Sequence, residues 1–202
     1  MYNQYFEKSK IQQIIYGVSA SNFHYAPDLF YGIFTPYISA IFRRKSDVGG
    51  SALTLKYVNI YKENAPNTPT REQDVYSVLN VKYLYSKPNI IEGISYKINS
   101  DISSNFTKFS TDIRYRMLTA TNRQLDFRFF GGFFLNNKTT GNYFSFGLDR
   151  PSDYLFEQNY FGRSESSGIF SQQVIINDGG FKSVLPTRYA NQFMASFNSS
   201  IG

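Results

Sequence analysis

Along most of this chain apolar and polar residues alternate one by one, the pattern of strands whose two faces meet different surroundings. Three consecutive runs show it best. In "ISYKINSD", Ile94, Tyr96, Ile98 and Ser100 take one face while Ser95, Lys97, Asn99 and Asp101 take the other. In "FTKFSTDIRYRM", Phe109, Thr111, Ile113, Tyr115 and Met117 oppose Lys108, Ser110, Asp112, Arg114 and Arg116. In "QLDFRFFGGFFL", Leu125, Phe127, Phe129, Gly131, Phe133 and Leu135 oppose Gln124, Asp126, Arg128, Phe130, Gly132 and Phe134. Weaker strand patterns cover about 28–44, 51–62, 74–86, 142–148, 168–177 and 188–201, and helical periodicity is weak throughout.

Turn signals separate these runs: "SDVGGS", "ENAPNTPTREQD", "SKPN", "SSN", "ATN", "NNKTTGN" and "NDGG". The last, Asn177 to Gly180, predicts a tight hairpin, because its glycines tolerate the positive φ that such turns need. Most connections are short, so the strands should meander up and down. The expected fold is therefore all-β: an antiparallel up-and-down transmembrane barrel of roughly ten strands, in which residues 1–202 form one domain or a fragment of one.

Alternation alone does not separate that barrel from a soluble β-sandwich or a lipid-binding barrel. Strand length favours the membrane. A strand crossing a bilayer needs about 9–11 tilted residues, against a mode of about 5–6 in ordinary sheets. The charges on the polar faces matter too. If the 109–117 and 125–133 strands pair with position numbers summing to 240, Arg114 faces Asp126 and Asp112 faces Arg128; a sum of 242 puts Arg114 opposite Arg128 instead. Asp112, Arg114, Arg116, Asp126 and Arg128 would then form a charge ladder lining a lumen, or the solvated face of a soluble sheet. Aromatic residues near strand ends, such as Tyr57 and Tyr61, Tyr83 and Tyr85, or Phe130, Phe133 and Phe134, suit interfacial girdles and equally suit cross-strand packing.

Composition narrows the function classes. The chain holds 20 Phe and 17 Tyr but no Trp and no Cys, which excludes disulfides, thiolate chemistry and Cys-based zinc sites. The formal charge of +6 is spread along the sequence rather than blocked, so nucleic acid is not an expected partner. No window of 18 apolar residues exists to form a membrane-spanning helix. The opening "MYNQYFEKSKIQQII" lacks the pattern of a signal peptide, which makes this chain an expected internal piece of a longer one.

Candidate chemistry is sparse. His24 is the single histidine, and it reads as a loop or strand-end residue beside Pro27. There is no HExxH, Walker A or GxSxG pattern. Asn105, Asn137 and Asn198 head N-x-S/T triplets of the kind common in Asn-rich turns. The densest mixture of charges and rings is "DRPSDYLFEQNYFGRSESSG", Asp149 to Gly168. Paired carboxylates run glycoside hydrolysis, so a hydrolase using Asp149, Asp153, Glu157 or Glu165 is one reading. The other is an ordered loop or inward-folded segment at a barrel mouth, in which Arg150 and Arg163 pair with those acids.

The stretches "FSFGLDRPSDYLFEQNYFGRSESSGIFSQQVIINDGGFKS", "YAPDLFYGIFTPYISAIFR" and "NRQLDFRFFGGFFLNN" resemble the C-terminal region of large metallopeptidase-like proteins of Bacteroidetes, the gluzincin (M1-like aminopeptidase) group. The resemblance implies a β-rich region like an outer-membrane barrel, set in the lipid bilayer of the bacterial outer membrane and anchoring an upstream peptidase domain of the same polypeptide at the cell surface. The zinc and catalytic glutamate of that family belong to the peptidase part, which this sequence does not contain. No catalytic residue carries over, no cofactor is expected in this chain, and it should show no hydrolytic activity by itself.

Overall fold

The structure is a computed structural model of the 202-residue chain. It describes residues 1–7, 9–26, 29–43, 49–63, 75–89, 91–119, 123–149, 152–157, 177–180 and 185–202, except the side chains of 23–26, 29, 62 and 63. Its strands are β1 (Tyr2–Tyr5), β2 (Ile11–Ala26), β3 (Leu29–Phe42), β4 (Gly50–Glu63), β5 (Tyr76–Lys87), β6 (Glu92–Ile102), β7 (Phe106–Leu118), β8 (Gln124–Asn137), β9 (Phe146–Gly147), β10 (Tyr189–Ala190) and β11 (Phe193–Ile201). Among the described residues there is no helix, hence none long and apolar enough to cross a membrane.

The expected antiparallel meander is present. Nine strands form one sheet in the order β1-β2-β3-β4-β5-β6-β7-β8-β11, and β9 and β10 form a small second sheet. The three best-patterned runs became β6, β7 and β8. Other expectations shift. The 142–148 run shrinks to β9, the 188–201 run splits into β10 and β11, and the 168–177 run lies outside the described residues. The long β2 went unpredicted because its polar side is marked by small residues, Gly17, Ser19 and Ser21, beside the unbroken apolar run Ile14, Ile15 and Tyr16.

Register gives every strand the same two faces. One cross-strand row reads Tyr16, Ile38, Leu55, Val81, Ser100, Phe109, Phe133 and Phe193. Another reads Tyr85, Tyr96, Ile113, Phe129 and Phe197. These rows define an apolar face. Among the described strands the charged residues in register with it are Glu63, Lys87 and Glu92, and each of them ends its strand or lies at its start. The charges of the strand interiors all fall on the opposite face.

That opposite face is where the core sits. Described parts of the connection between β8 and β11, in residues 143–149, 152–157 and 177–180, pack on it. Phe156 packs with Tyr31, Ile33, Val58 and Ile60; Phe144 and Tyr154 pack with Val78 and Phe106; Phe146 packs with Phe130 and Met194. Phe130 and Phe134 therefore belong to the covered face and not to a girdle, since their even positions point them at the Phe146 ring, 5.9 Å and 5.2 Å away. Tyr57, Tyr61 and Phe133 stand exposed on the apolar face, and register puts Tyr83 and Tyr85 on the same face.

Candidate functional site

The predicted ladder residues do lie together on the covered face of β7 and β8, but the strands pair with numbers summing to 242. Arg114 is opposite Arg128, and Arg116 is opposite Asp126. The reason is visible on the apolar face. This register stacks Phe109 on Phe133 at 5.7 Å and Tyr115 on Phe127 at 6.4 Å, cross-strand pairs that a sum of 240 would break. The two facing arginines are reconciled by one carboxylate. Asp112, 5 % exposed, accepts from Arg128 Nη2 at 2.9 Å and from Arg114 Nε at 3.3 Å. Further along, Asp126 accepts from Arg116 Nε at 2.7 Å and from Gln124 Nε2 at 2.5 Å.

Sequence reasoning missed a second, deeper set of polar residues. Lys56, Asn80, Asp101 and Lys108 occupy one cross-strand row, each opposite the next. The signal was present in the polar positions of β4 to β7, which alternate in sign across the sheet, but it needs the register to be seen. Asp101, 1 % exposed, accepts from Asn80 Nδ2 at 2.5 Å, Asn99 Nδ2 at 2.9 Å and the Tyr154 hydroxyl at 2.5 Å. Three donors satisfy a carboxylate that would otherwise be prohibitively costly to bury. Burial, and then the Asp101 carboxylate, hold the Tyr154 phenol well above its ordinary pKa, so it stays a hydrogen-bond donor. Lys108 donates to the Phe144 carbonyl at 3.0 Å and lies 4.6 Å and 4.4 Å from the ring centres of Phe146 and Tyr154, a cation–π cage in place of water.

The 149–168 stretch folds inward over residues 152–157, with Arg150, Arg163 and Glu165 outside the described residues. The expected pairing of its acids with Arg150 and Arg163 therefore lies outside the described residues, within which the acids have the following partners. Glu157 bridges Lys56 Nζ at 2.7 Å and Lys82 Nζ at 2.8 Å, from two adjacent strands. Asp153 Oδ1 accepts the Glu157 amide at 2.9 Å, and Asp149 Oδ2 accepts the Leu185 amide at 2.7 Å. The Glu157 contacts are long-range: folding brings in two lysines about 75–100 positions earlier in the chain, which the sequence reading did not anticipate.

The "NDGG" turn has its expected positive φ at Gly180, 74°. The flanking strand on its N-terminal side lies outside the described residues, and the turn docks on β9: the Gly179 amide donates to Gly147 O at 2.9 Å and Asp178 Oδ2 accepts the Gly147 amide at 3.1 Å. It also tops the ladder, since Arg128 Nη1 donates to Asn177 O at 3.4 Å and Asn198 Nδ2 to Gly179 O at 3.0 Å. At Gly179 an added Cβ would lie 2.6 Å from the Leu148 carbonyl oxygen, so this backbone contact requires glycine.

Burial works to raise the Glu157 carboxyl, but the Lys82 and Lys56 ammonium groups win and lower it from 4.5 to about 2. A depressed pKa makes the clamp contribute fully above the ordinary carboxylate range, and the contribution is lost as pH falls from about 4.5 towards 2. The melting temperature is expected to drop over that window, and Glu157→Gln should remove that component of the drop. Identical pH profiles for the two proteins would show that the clamp contributes nothing.

The same arrangement bears on catalysis. A carboxylate held ionised by two lysines is a poor general acid, and Asp153 is committed to the Glu157 amide, so the two do not form the acid and base pair that hydrolysis requires. His24 lies near the end of β2. Among the described residues no three His, Asp or Glu side chains are placed to hold a metal ion. What the geometry does supply is a charged face neutralised by ion pairs and covered by the chain's own segment, behind an exposed apolar face. The chain matches no protein-family model, no curated protein and no solved structure.

Proposed function

We propose that the chain is the greater part of an outer-membrane β-barrel whose lumen is filled by its own residues 143–149, 152–157 and 177–180. The observation that carries this reading is the inversion of the sheet: Asp101, Lys108 and Asp112 are buried, while Phe129 at 43 % and Phe133 at 48 % exposure stand on the apolar face. If each such ring leaves about half of its roughly 150–250 Å² open, the patch is on the order of 1,000 Å², against a few hundred for a soluble monomer. A sandwich would cover that face with a second sheet, and a lipid-binding barrel would turn it inward; among the described residues neither occurs.

The dimensions agree. From Leu125 to Leu135 on β8, at about 3.3 Å per residue and a tilt near 40°, the apolar run rises about 25 Å, the height of the lipid-facing band of such barrels. The two long connections, 64–75 and 138–192, leave from the same end of the sheet. Outer-membrane barrels keep short turns in the periplasm and long loops outside, so that end faces the exterior. Strand β1 runs away from it, so a region joined ahead of β1 would lie on the outer side.

The role of anchoring an upstream peptidase rests on the resemblance of the quoted stretches to the gluzincin proteins. Zinc chemistry would belong entirely to that region, since the residues described in this chain do not fit a zinc site. Flotation with liposomes and heat-modifiable gel migration test the membrane role: both are expected, and a protein that stays dispersed without detergent and sediments apart from lipid would sink it. The coding sequence ahead of Met1 tests the anchor role separately. An HExxH motif is expected there, and its lack would remove the peptidase while leaving the barrel.

A further inference from the structure

We propose that Lys56 and Lys82 form an oxyanion site on the lumenal face, occupied at rest by the chain's own Glu157, and that a phosphate- or carboxylate-bearing solute competes for it and frees the Leu155–Glu157 turn. The inference rests on the lumenal reading of the charged face.

Lys56 is opposite Asn80, and Lys82 is opposite Thr54, so the two lysines are diagonal neighbours on one face. Like charges so placed repel unless an anion lies between them. Glu157 supplies it, with both carboxylate oxygens within 2.8 Å of Lys82 Nζ and one within 2.7 Å of Lys56 Nζ. The site remains open to solute, since the lysine side chains are 29 % and 22 % exposed and Glu157 is 33 % exposed. Lys97, Arg114 and Arg116 lie on the same face, towards the short-turn end.

A second, independent observation lies next to the clamp. Phe156 has φ 52°, the left-handed conformation that a bulky residue rarely adopts. Its ring is held among Tyr31, Ile33, Val58 and Ile60, and this reversal is what aims Glu157 at the lysines. Such a conformation persists only while its surroundings hold it, and its natural relaxation is the movement that loss of the clamp would allow. Tyr154, buried on Asp101, marks the fixed end of the movement.

The chain has no cysteine, so Leu155→Cys gives a single reporter thiol. In liposomes, millimolar inorganic phosphate is expected to speed its modification by an impermeant maleimide about tenfold over chloride at equal ionic strength, equivalent to about 1.4 kcal/mol of clamp free energy. Added Lys56→Ala with Lys82→Ala should label fast in both salts. Glu157→Gln, which keeps both lysines, should label fast in chloride. Equal rates in phosphate and chloride, a phosphate response that survives loss of both lysines, or slow labelling of the Glu157→Gln protein would each overturn the site. Protein that responds to phosphate in detergent but fails to float with liposomes would overturn the membrane reading and keep the anion site. Protein that floats without responding would do the reverse.

Discussion

Ile113→Arg and Phe129→Arg are each expected to abolish assembly into membranes, while Arg116→Gln is tolerated. Ile113 and Phe129 are direct cross-strand partners in the middle of the apolar face, flanked by Tyr96 and Phe197. A guanidinium at that level would sit near the bilayer midplane, at a cost of about 2–4 kcal/mol in a β-barrel. Arg116 is on the other face, 57 % exposed, and its ion pair with Asp126 is of the kind worth at most about 1 kcal/mol. The measurements are the floated fraction and the share of protein with heat-modifiable migration. Equal tolerance at both sets of positions would mean that the inside and outside of the sheet have been assigned backwards or that no membrane is involved.

Asp112→Ala is expected to be the most damaging single removal of a charge. It strips the shared partner from Arg114 and from Arg128, whose side chain is 14 % exposed, and leaves two guanidinium groups facing one another across β7 and β8. Losing one member of a buried pair costs about 3–5 kcal/mol, because the survivor is left uncompensated. The equivalent change at the more open Asp126 should cost about 1 kcal/mol or less. Adding Arg128→Met to Asp112→Ala should restore most of the loss, since replacing both partners by apolar groups is often close to neutral. Urea midpoints of the refolded proteins decide the matter. Similar losses for Asp112→Ala and Asp126→Ala would show that the ladder does not depend on its buried carboxylate.

These two outcomes connect the sheet's chemistry to its covering segment. Asp112 and Asp101 are buried among donors, and part of that surrounding comes from the connection between β8 and β11: Tyr154 on Asp101, and Asn177 beside Arg128. Lys108 likewise depends on Phe144, Phe146 and Tyr154. The Glu157 clamp, with side chains 22–33 % exposed, is more open to solvent than these buried groups.

Much of the sheet was legible in the residues themselves. Period-two alternation located β6, β7 and β8 within a residue or two, and assigned Ile113, Phe127, Arg114 and Asp126 to the faces they occupy. Strand β2 was not legible, because a strand whose polar positions are Gly and Ser shows little contrast between its faces. For Phe130 and Phe134 the sequence left girdle and packing equally open, because periodicity reports which residues share a face and not what will cover that face.

By itself, then, the sequence determined an antiparallel all-β meander with one charged and one apolar face, since face alternation is a local property of a pleated strand. It also limited the catalytic possibilities, since side-chain chemistry is a matter of which residues are present. Only the tertiary structure decided the register of β7 on β8, because 240 and 242 preserve the same faces and differ only in which rings stack. It alone decided that residues 152–157 fold onto the charged face and that Glu157 takes Lys56 and Lys82 as partners, because contacts between residues so far apart in the chain depend on the sheet that brings them together.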